Sequence, residues 1–278
     1  MCALSQENKV RLVETGEFHG ITEYDVAGVD AFTVDDMLPL FTARTYVSDE
    51  GITLPYRIYL PDGFRPDGTF PLFLMLHGGG LRGRDNVLQL TGGDMALKYA
   101  LLRRQKKERC VIVIPQCPAG AGVFWSQSMT WDGQDYFVNI TDDNESPVIR
   151  ALIGLVDNLC DELKPDGNRL YIGGWSMGGM GQYDLLYRRP ALFAAAFIGC
   201  AASDVTVADV VARTPVFLMH GDADVTVKVE GSRRMAAALA ALGADYRYVE
   251  WPGRGHGFIL DSTELDEMLD WVFSKTKT

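Results

Sequence analysis

Ser176 is the residue in this sequence best placed to do covalent chemistry. It stands in Gly174-Trp175-Ser176-Met177-Gly178, a Gly-x-Ser-x-Gly pattern with an apolar run at 170–172 before it and a helical pattern at 177–188 after it. On a tight strand-to-helix turn the serine hydroxyl is pushed outward, and side chains two positions to either side would collide, so glycine is needed there. The N-terminus of the following helix favours negative charge beside that hydroxyl. A serine hydroxyl is a weak nucleophile until a base takes its proton. The histidines are His19, His77, His220 and His256. The base in turn needs a carboxylate, and Asp204, Asp222 and Asp224 all follow apolar runs downstream of Ser176. Acyl transfer also needs N–H donors aimed at the carbonyl oxygen. Met177, the residue after the nucleophile, supplies one, and His77-Gly78-Gly79-Gly80 supplies the other from Gly79, with Gly80 as the alternative. The same glycines match Gly78-x-Gly80-x-x-Gly83, a dinucleotide fingerprint. Arg84-Asp85-Asn86 does not open a helix, however, and no acidic residue closes a second strand, so the nucleotide reading is set aside.

These residues need a scaffold. Runs at 42–47 and 54–60 alternate apolar and polar residues, as half-exposed strands do. Short continuous apolar runs at 71–76, 111–114, 170–172, 193–198 and 216–219 suit strands buried on both faces of a parallel sheet. Helical patterns lie between them at 95–104, 148–163, 177–188 and 229–242, with a last strand at 246–251 and a last helix at 264–273. This alternation predicts an α/β fold with a central, mostly parallel sheet flanked by helices. No linker breaks it, so residues 41–278 read as one catalytic domain, with residues 1–40 as an N-terminal arm packed on it. The rhythm stops after the strand ending near Pro115. Residues 117–147 read as an insertion, and loops of that length are usually functional or disordered.

Composition narrows the function. The 278 residues are 47% hydrophobic and carry a net charge of −11, which speaks against binding a phosphate backbone or an anionic lipid surface. The five cysteines form no CxxC pair and no zinc spacing, and the acidic stretch Asp142-Asp143-Asn144-Glu145 lacks the spacing of a calcium loop. No metal and no cofactor is expected. The N-terminus shows no basic start followed by a long apolar run, so the chain reads as soluble and cytoplasmic, or secreted if a signal peptide has been removed.

From about Thr42 onward the sequence resembles the α/β-hydrolase superfamily. In that fold the triad runs Ser, acid, His along the chain, which leaves His220 and His256 as bases. His256 lies in Gly253-Arg254-Gly255-His256-Gly257, a loop able to reach Ser176, whereas His220 ends a strand. His220-Gly221-x-x-Asp224-x-x-Val227 resembles the superfamily's acid turn, in which the second aspartate is the triad member. That assigns Asp224, leaves Asp222 to hold the turn through backbone hydrogen bonds, and keeps Asp204 as the alternative acid. His77 is expected to pin the glycine loop. More closely, Leu76-His77-Gly78-Gly79-Gly80-Leu81-Arg82-Gly83-Arg84-Asp85-Asn86 and Pro115-Gln116-Cys117-Pro118 followed by Trp125 are similar to a bacterial group of esterases and "predicted peptidases" related to feruloyl and acetyl esterases. The resemblance implies a cofactor-free serine esterase acting on small-acyl, aryl or carbohydrate-linked esters. A serine peptidase and an inactive hydrolase-like binding module are the rivals. In this setting Trp125 and Trp131, in the insertion, are expected to contact an aromatic or sugar group of the substrate, or else to pack the insertion onto the domain.

Overall fold

The computed structural model describes residues 34–91, 95–120, 124–126, 129–131, 136–256 and 262–277. Its main sheet has eight strands in the order β1-β2-β4-β3-β7-β8-β9-β10. They are β1 (Thr42–Val47), β2 (Thr53–Tyr59), β3 (Leu72–Leu76), β4 (Val111–Pro115), β7 (Leu170–Trp175), β8 (Ala195–Gly199), β9 (Val216–Gly221) and β10 (Tyr246–Trp251). β2 is antiparallel to both β1 and β4, and every other pairing is parallel. Helices α1 (Met95–Arg103), α2 (Pro147–Leu163), α3 (Met177–Arg188), α4 (Val229–Ala241) and α5 (Ser262–Phe273) flank it. The expected α/β-hydrolase architecture is therefore present.

Strand periodicity explains how one sheet serves two cores. Leu72, Leu74, Leu76, Ile172, Ile198 and Leu218 face one side, where α2, α3 and α4 bring Leu155, Leu159, Tyr183, Leu186 and Leu239. Phe73, Met75, Ile112, Tyr171, Phe197 and Phe217 alternate with them and face Leu101, Leu265, Met268 and Leu269 of α1 and α5. Two-sided burial is why these strands read as unbroken apolar runs. β1, at the edge, keeps the exposed alternation its sequence shows, whereas β2 is buried at five of its seven positions because it lies between β1 and β4.

Two features position the site. From β3 the chain steps outward to β4, and from β7 it steps the other way to β8. The strand order therefore reverses between β3 and β7, and ligands of open α/β sheets bind at the carboxyl ends of strands at such a point. The insertion, for its part, contributes a short hairpin, β5 (Met129–Trp131) with β6 (Tyr136–Val138). Val138 N–H donates to Ala202 O (3.1 Å) and Asp204 N–H donates to Val138 O (2.8 Å), which seats the hairpin just beyond β8. Of the N-terminal arm, the helical turns Val34–Met37 and Leu38–Leu40 pack on the domain through buried Met37 and Leu40, and the rest lies outside the described residues. Among the described residues no helix is long and apolar enough to cross a membrane.

Candidate active site

Ser176 follows β7 directly and caps α3, with φ 55° and ψ −121°. A non-glycine residue in that region stores about 1–3 kcal/mol of backbone strain, held only where the surroundings dictate it. Here the surroundings are backbone against backbone. A Cβ on Gly178 would lie 2.0 Å from Leu76 O, and one on Gly174 would lie 2.4 Å from the same oxygen. Both glycines are thus fixed by the closeness of the elbow to the end of β3.

The turn delivers Ser176 to a histidine. Ser176 Oγ lies 2.8 Å from His256 Nε2, and His256 Nδ1 lies 2.7 Å from Asp224 Oδ2. With Asp224 ionised, Nδ1 carries the proton and Nε2 is free to accept from the serine. Burial alone would raise the carboxyl pKa of Asp224. Hydrogen bonds from His220 and His256 and the N–H of Val227 outweigh it and hold the group well below the usual carboxylate range. The other oxygen, Oδ1, accepts from Thr226 N (2.8 Å) and Val227 N (2.9 Å), so Asp224 itself holds the acid turn. This corrects the role expected for Asp222. Its Oδ1 instead accepts from Gly253 N (2.6 Å), joining the acid turn to the loop that carries His256. Ala223 N adds a second tie to Arg254 O (3.0 Å), and Trp175 Nε1 donates to His256 O (3.1 Å). Arg254 is clamped by Glu264 at 2.7 and 2.8 Å. Asp204 lies elsewhere, its carboxylate capping Thr206 N (2.9 Å).

The glycine loop is fixed by the fully buried His77. Its Nε2 accepts from Cys117 N (2.9 Å) at the end of β4, so its Nδ1 carries the proton and donates to Gly78 O (2.7 Å). Burial chiefly, with Lys98 and Arg82 nearby, pushes the imidazole down to about 3, against the Gly78 bond that favours its charged form, which keeps this tautomer neutral. A trans peptide directs its C=O and N–H oppositely. Turning Gly78 C=O toward His77 therefore turns Gly79 N–H away from it, and a Cβ on Gly79 would lie 3.9 Å from Met177 Cβ. Met177 opens α3, so its N–H has no intrahelical acceptor. Gly79 and Met177, the residues expected to donate to an oxyanion, are thus neighbours in space.

Trp125 calls for a correction. It has no solvent exposure, its indole N–H donates to His77 O (3.1 Å), and its ring lies 5.2 Å from the imidazole. It packs beneath the glycine loop and supports it, and presents no surface to a substrate. Trp131 lies on β5, and its side chain is outside the described residues, as is His19. One residue that sequence reasoning set aside joins the site: His220 Nε2 lies 3.1 Å from Asp224 Oδ2. The hint in the sequence is its place at the head of the acid turn, four residues before Asp224.

Fold and site together define a serine hydrolase of the α/β-hydrolase class. A family model described as the prolyl oligopeptidase family matches residues 127–214 and 206–278, and the chain belongs to that family. It is 26% identical over 190 residues to acyl-protein thioesterase 1 of Neurospora crassa, covering 61% of this chain and 76% of that one. A crystal structure of a thermostable esterase superimposes with a TM-score of 0.75 at 32% identity over 87% of this chain, which spans 64% of that protein's length. A structure described as a ferulic acid esterase shares the fold, with a TM-score of 0.59 at 16% identity over 84% of this chain and 97% of that one. The resemblance to serine esterases expected from the motifs is borne out by these similarities.

Proposed function

We propose that this protein is a serine carboxylic ester hydrolase working through Ser176, His256 and Asp224. The observation that carries the reading is the unbroken relay at 2.8 and 2.7 Å, ending on a serine held in a strained elbow. His256 Nε2 takes the Ser176 proton as Oγ attacks the ester carbonyl. Negative charge gathers on the carbonyl oxygen, where the N–H groups of Gly79 and Met177 stabilise it. The alcohol leaves with the proton held by His256, and water, activated the same way, then releases the acid and restores Ser176. Asp224 keeps the imidazole in the accepting tautomer and stabilises its charged form. None of these steps draws on a metal or a cofactor.

The substrate class proposed is a small-acyl, aryl or carbohydrate-linked ester. It is supported by the motif resemblance and by similarity to proteins described as a thermostable esterase and a ferulic acid esterase. The net charge of −11 speaks against nucleic acid or an anionic membrane surface as partner. Peptide hydrolysis is the second reading, favoured by the family's name, because the same relay cleaves amides. The test is a panel of p-nitrophenyl acetate, methyl ferulate, acetylated xylan and aminoacyl anilides, run on the native chain and on Ser176→Ala. Ester turnover that falls roughly 10⁴-fold or more in the variant, with its circular dichroism unchanged, is expected. Turnover of anilides alone would make the protein a peptidase, and full activity in Ser176→Ala would remove the serine mechanism.

A further inference from the structure

Asp224 offers Oδ1 to two backbone N–H groups, which leaves Oδ2 for side chains. Two imidazoles compete for that one oxygen: His256 through Nδ1 at 2.7 Å, and His220 through Nε2 at 3.1 Å. His220 has no solvent exposure, and Asp224 and Ser232 have almost none. Proton accounting around His220 is restrictive. Its Nε2 faces two acceptors, Asp224 Oδ2 and Val227 O (2.9 Å), so Nε2 carries a proton. Its Nδ1 faces Ser232 Oγ at 2.7 Å, and that hydroxyl lies 3.1 Å from Ala201 O. Ser232 has one proton to give. Given to Nδ1 it leaves the ring neutral, and given to Ala201 O it leaves the ring cationic. In either state Nε2–H is shared between Val227 O and Asp224 Oδ2.

We propose that His220 is a second positioning histidine, which donates to Asp224 Oδ2, is steadied by Ser232 on α4, and sets how strongly Asp224 supports His256. This rests on the reading of His256 as base and Asp224 as its partner. The physical effect follows from sharing. A carboxylate oxygen that accepts two hydrogen bonds carries less negative charge toward each donor. His256 becomes an imidazolium when it takes the Ser176 proton, and its affinity for that proton rises with the charge on Oδ2. His220 therefore moderates the base, and it pins the acid turn to β9, α4 and the end of β8 at once. A base too strongly held accepts the serine proton readily and returns it slowly to the leaving alcohol.

Other ionisable groups near this cluster remain in place when His220 is changed. The Cys200 thiol, beyond β8, also contacts Asp224 and is kept protonated by burial. Glu250 on β10 is engaged by Arg233 and Tyr248. Arg254 is paired with Glu264, and Asp222 is bound to Gly253 N. A moved pH profile can therefore be assigned to the imidazole removed.

The experiment compares the native chain with His220→Leu, His220→Gln and Ser232→Ala, with kcat and kcat/KM for p-nitrophenyl acetate measured across pH 5–9. His220→Leu should move the acid limb of the profile upward by about half a pH unit or more, with kcat down roughly tenfold. His220→Gln, whose amide N–H reaches the same place as Nε2–H, should bring the limb back toward the native position. Ser232→Ala should move it the same way as His220→Leu but less. An acid limb that stays put in folded His220→Leu, even with kcat reduced, overturns the proposal, because loss of packing alone would give that result. Should His220→Leu fail to give native circular dichroism, an unmoved limb in Ser232→Ala overturns it instead. Ser176→Ala, assayed beside them, separates the two layers: activity surviving there removes the serine mechanism, whereas its loss with an unmoved limb removes only the role of His220.

Discussion

The two sides of Ser176, the proposed nucleophile, are built differently. The nucleophile and the glycine loop grow out of the middle of the sheet, at the ends of β7 and β3, and their backbones are in contact through Leu76 O, Gly174 and Gly178. Buried His77 and Trp125 lie beneath them. His256, the proposed base, rides on a turn after the edge strand β10 and keeps 23% of its side chain exposed. That turn is held by side-chain ties from Asp222, Trp175 and Arg254 and by the backbone bond from Ala223 to Arg254. The contrast teaches that one side depends on the fold for its geometry and the other on a few removable bonds. Damage to the first should appear as lost stability, and damage to the second as lost rate at nearly constant stability.

The largest expected effect falls on the second side. Asp224→Asn should lower kcat by roughly 10³–10⁴-fold, because an amide cannot hold the accepting tautomer of His256. Asp222→Asn, which weakens a tie without touching the imidazole, should cost about tenfold at most. Steady-state kinetics on a small ester checks both, and equal losses would remove the distinction between acid and tie.

The next effect belongs to the first side and is read through pH. Below about pH 6.5 an unfolded chain takes up a proton at His77, which the folded chain refuses until about pH 3. The unfolded state thus binds more protons across that window. The contribution is complete above the unfolded value and is lost as pH falls toward the folded one. Urea unfolding at pH 7, 5 and 4 should show the native chain losing more stability than His77→Gln, with a difference on the order of 4 kcal/mol at the bottom of the window. Parallel curves for the two proteins would mean that His77 is not held neutral.

Trp125→Ala should destabilise the fold by about 3–5 kcal/mol, as loss of a buried indole does, lowering Tm and reducing turnover of small and bulky esters alike. A raised KM for bulky esters at an unchanged Tm would return Trp125 to the substrate. The smallest effect is expected at the clamp. Arg254 and Glu264 keep 31% and 18% exposure, and such a pair is worth about 1 kcal/mol or less. Arg254→Ala should leave Tm within a few degrees and lower kcat several-fold, as His256 samples more positions.

The sequence was most readable where local backbone chemistry dictates residue type. Glycines around Ser176, the acid turn at Asp224 and the glycine-flanked His256 carry their geometry within a few residues, and apolar runs report strands buried on two faces. Less could be read where a side chain's direction depends on partners far along the chain. Trp125 lies in a stretch with no period to say which face is inward, so its indole bond to His77 O was invisible. Asp222 shares the turn with Asp224, but its bond to Gly253 N, 31 residues along the chain, depends on where the His256 loop folds. β5 and β6, three residues each, are too short for a pattern, and the burial of β2 depends on neighbours that its own alternation does not reveal.

The strand order has a consequence for how the chain could be divided. Strands β1 to β4 fill one half of the sheet without interruption, and β7 to β10 fill the other. The insertion links the halves, and the β3–β7 pairing is the seam where the glycine loop from one half meets Ser176 and Met177 from the other. Across that seam Gly78 lies beside Ser176 and Gly79 beside Met177, so the two halves of the sheet each bring part of the site. Two polypeptides parted within the insertion would each keep a contiguous half-sheet, and neither would hold both the serine and the glycine loop. Ester turnover regained on mixing them would then measure their reassembly directly.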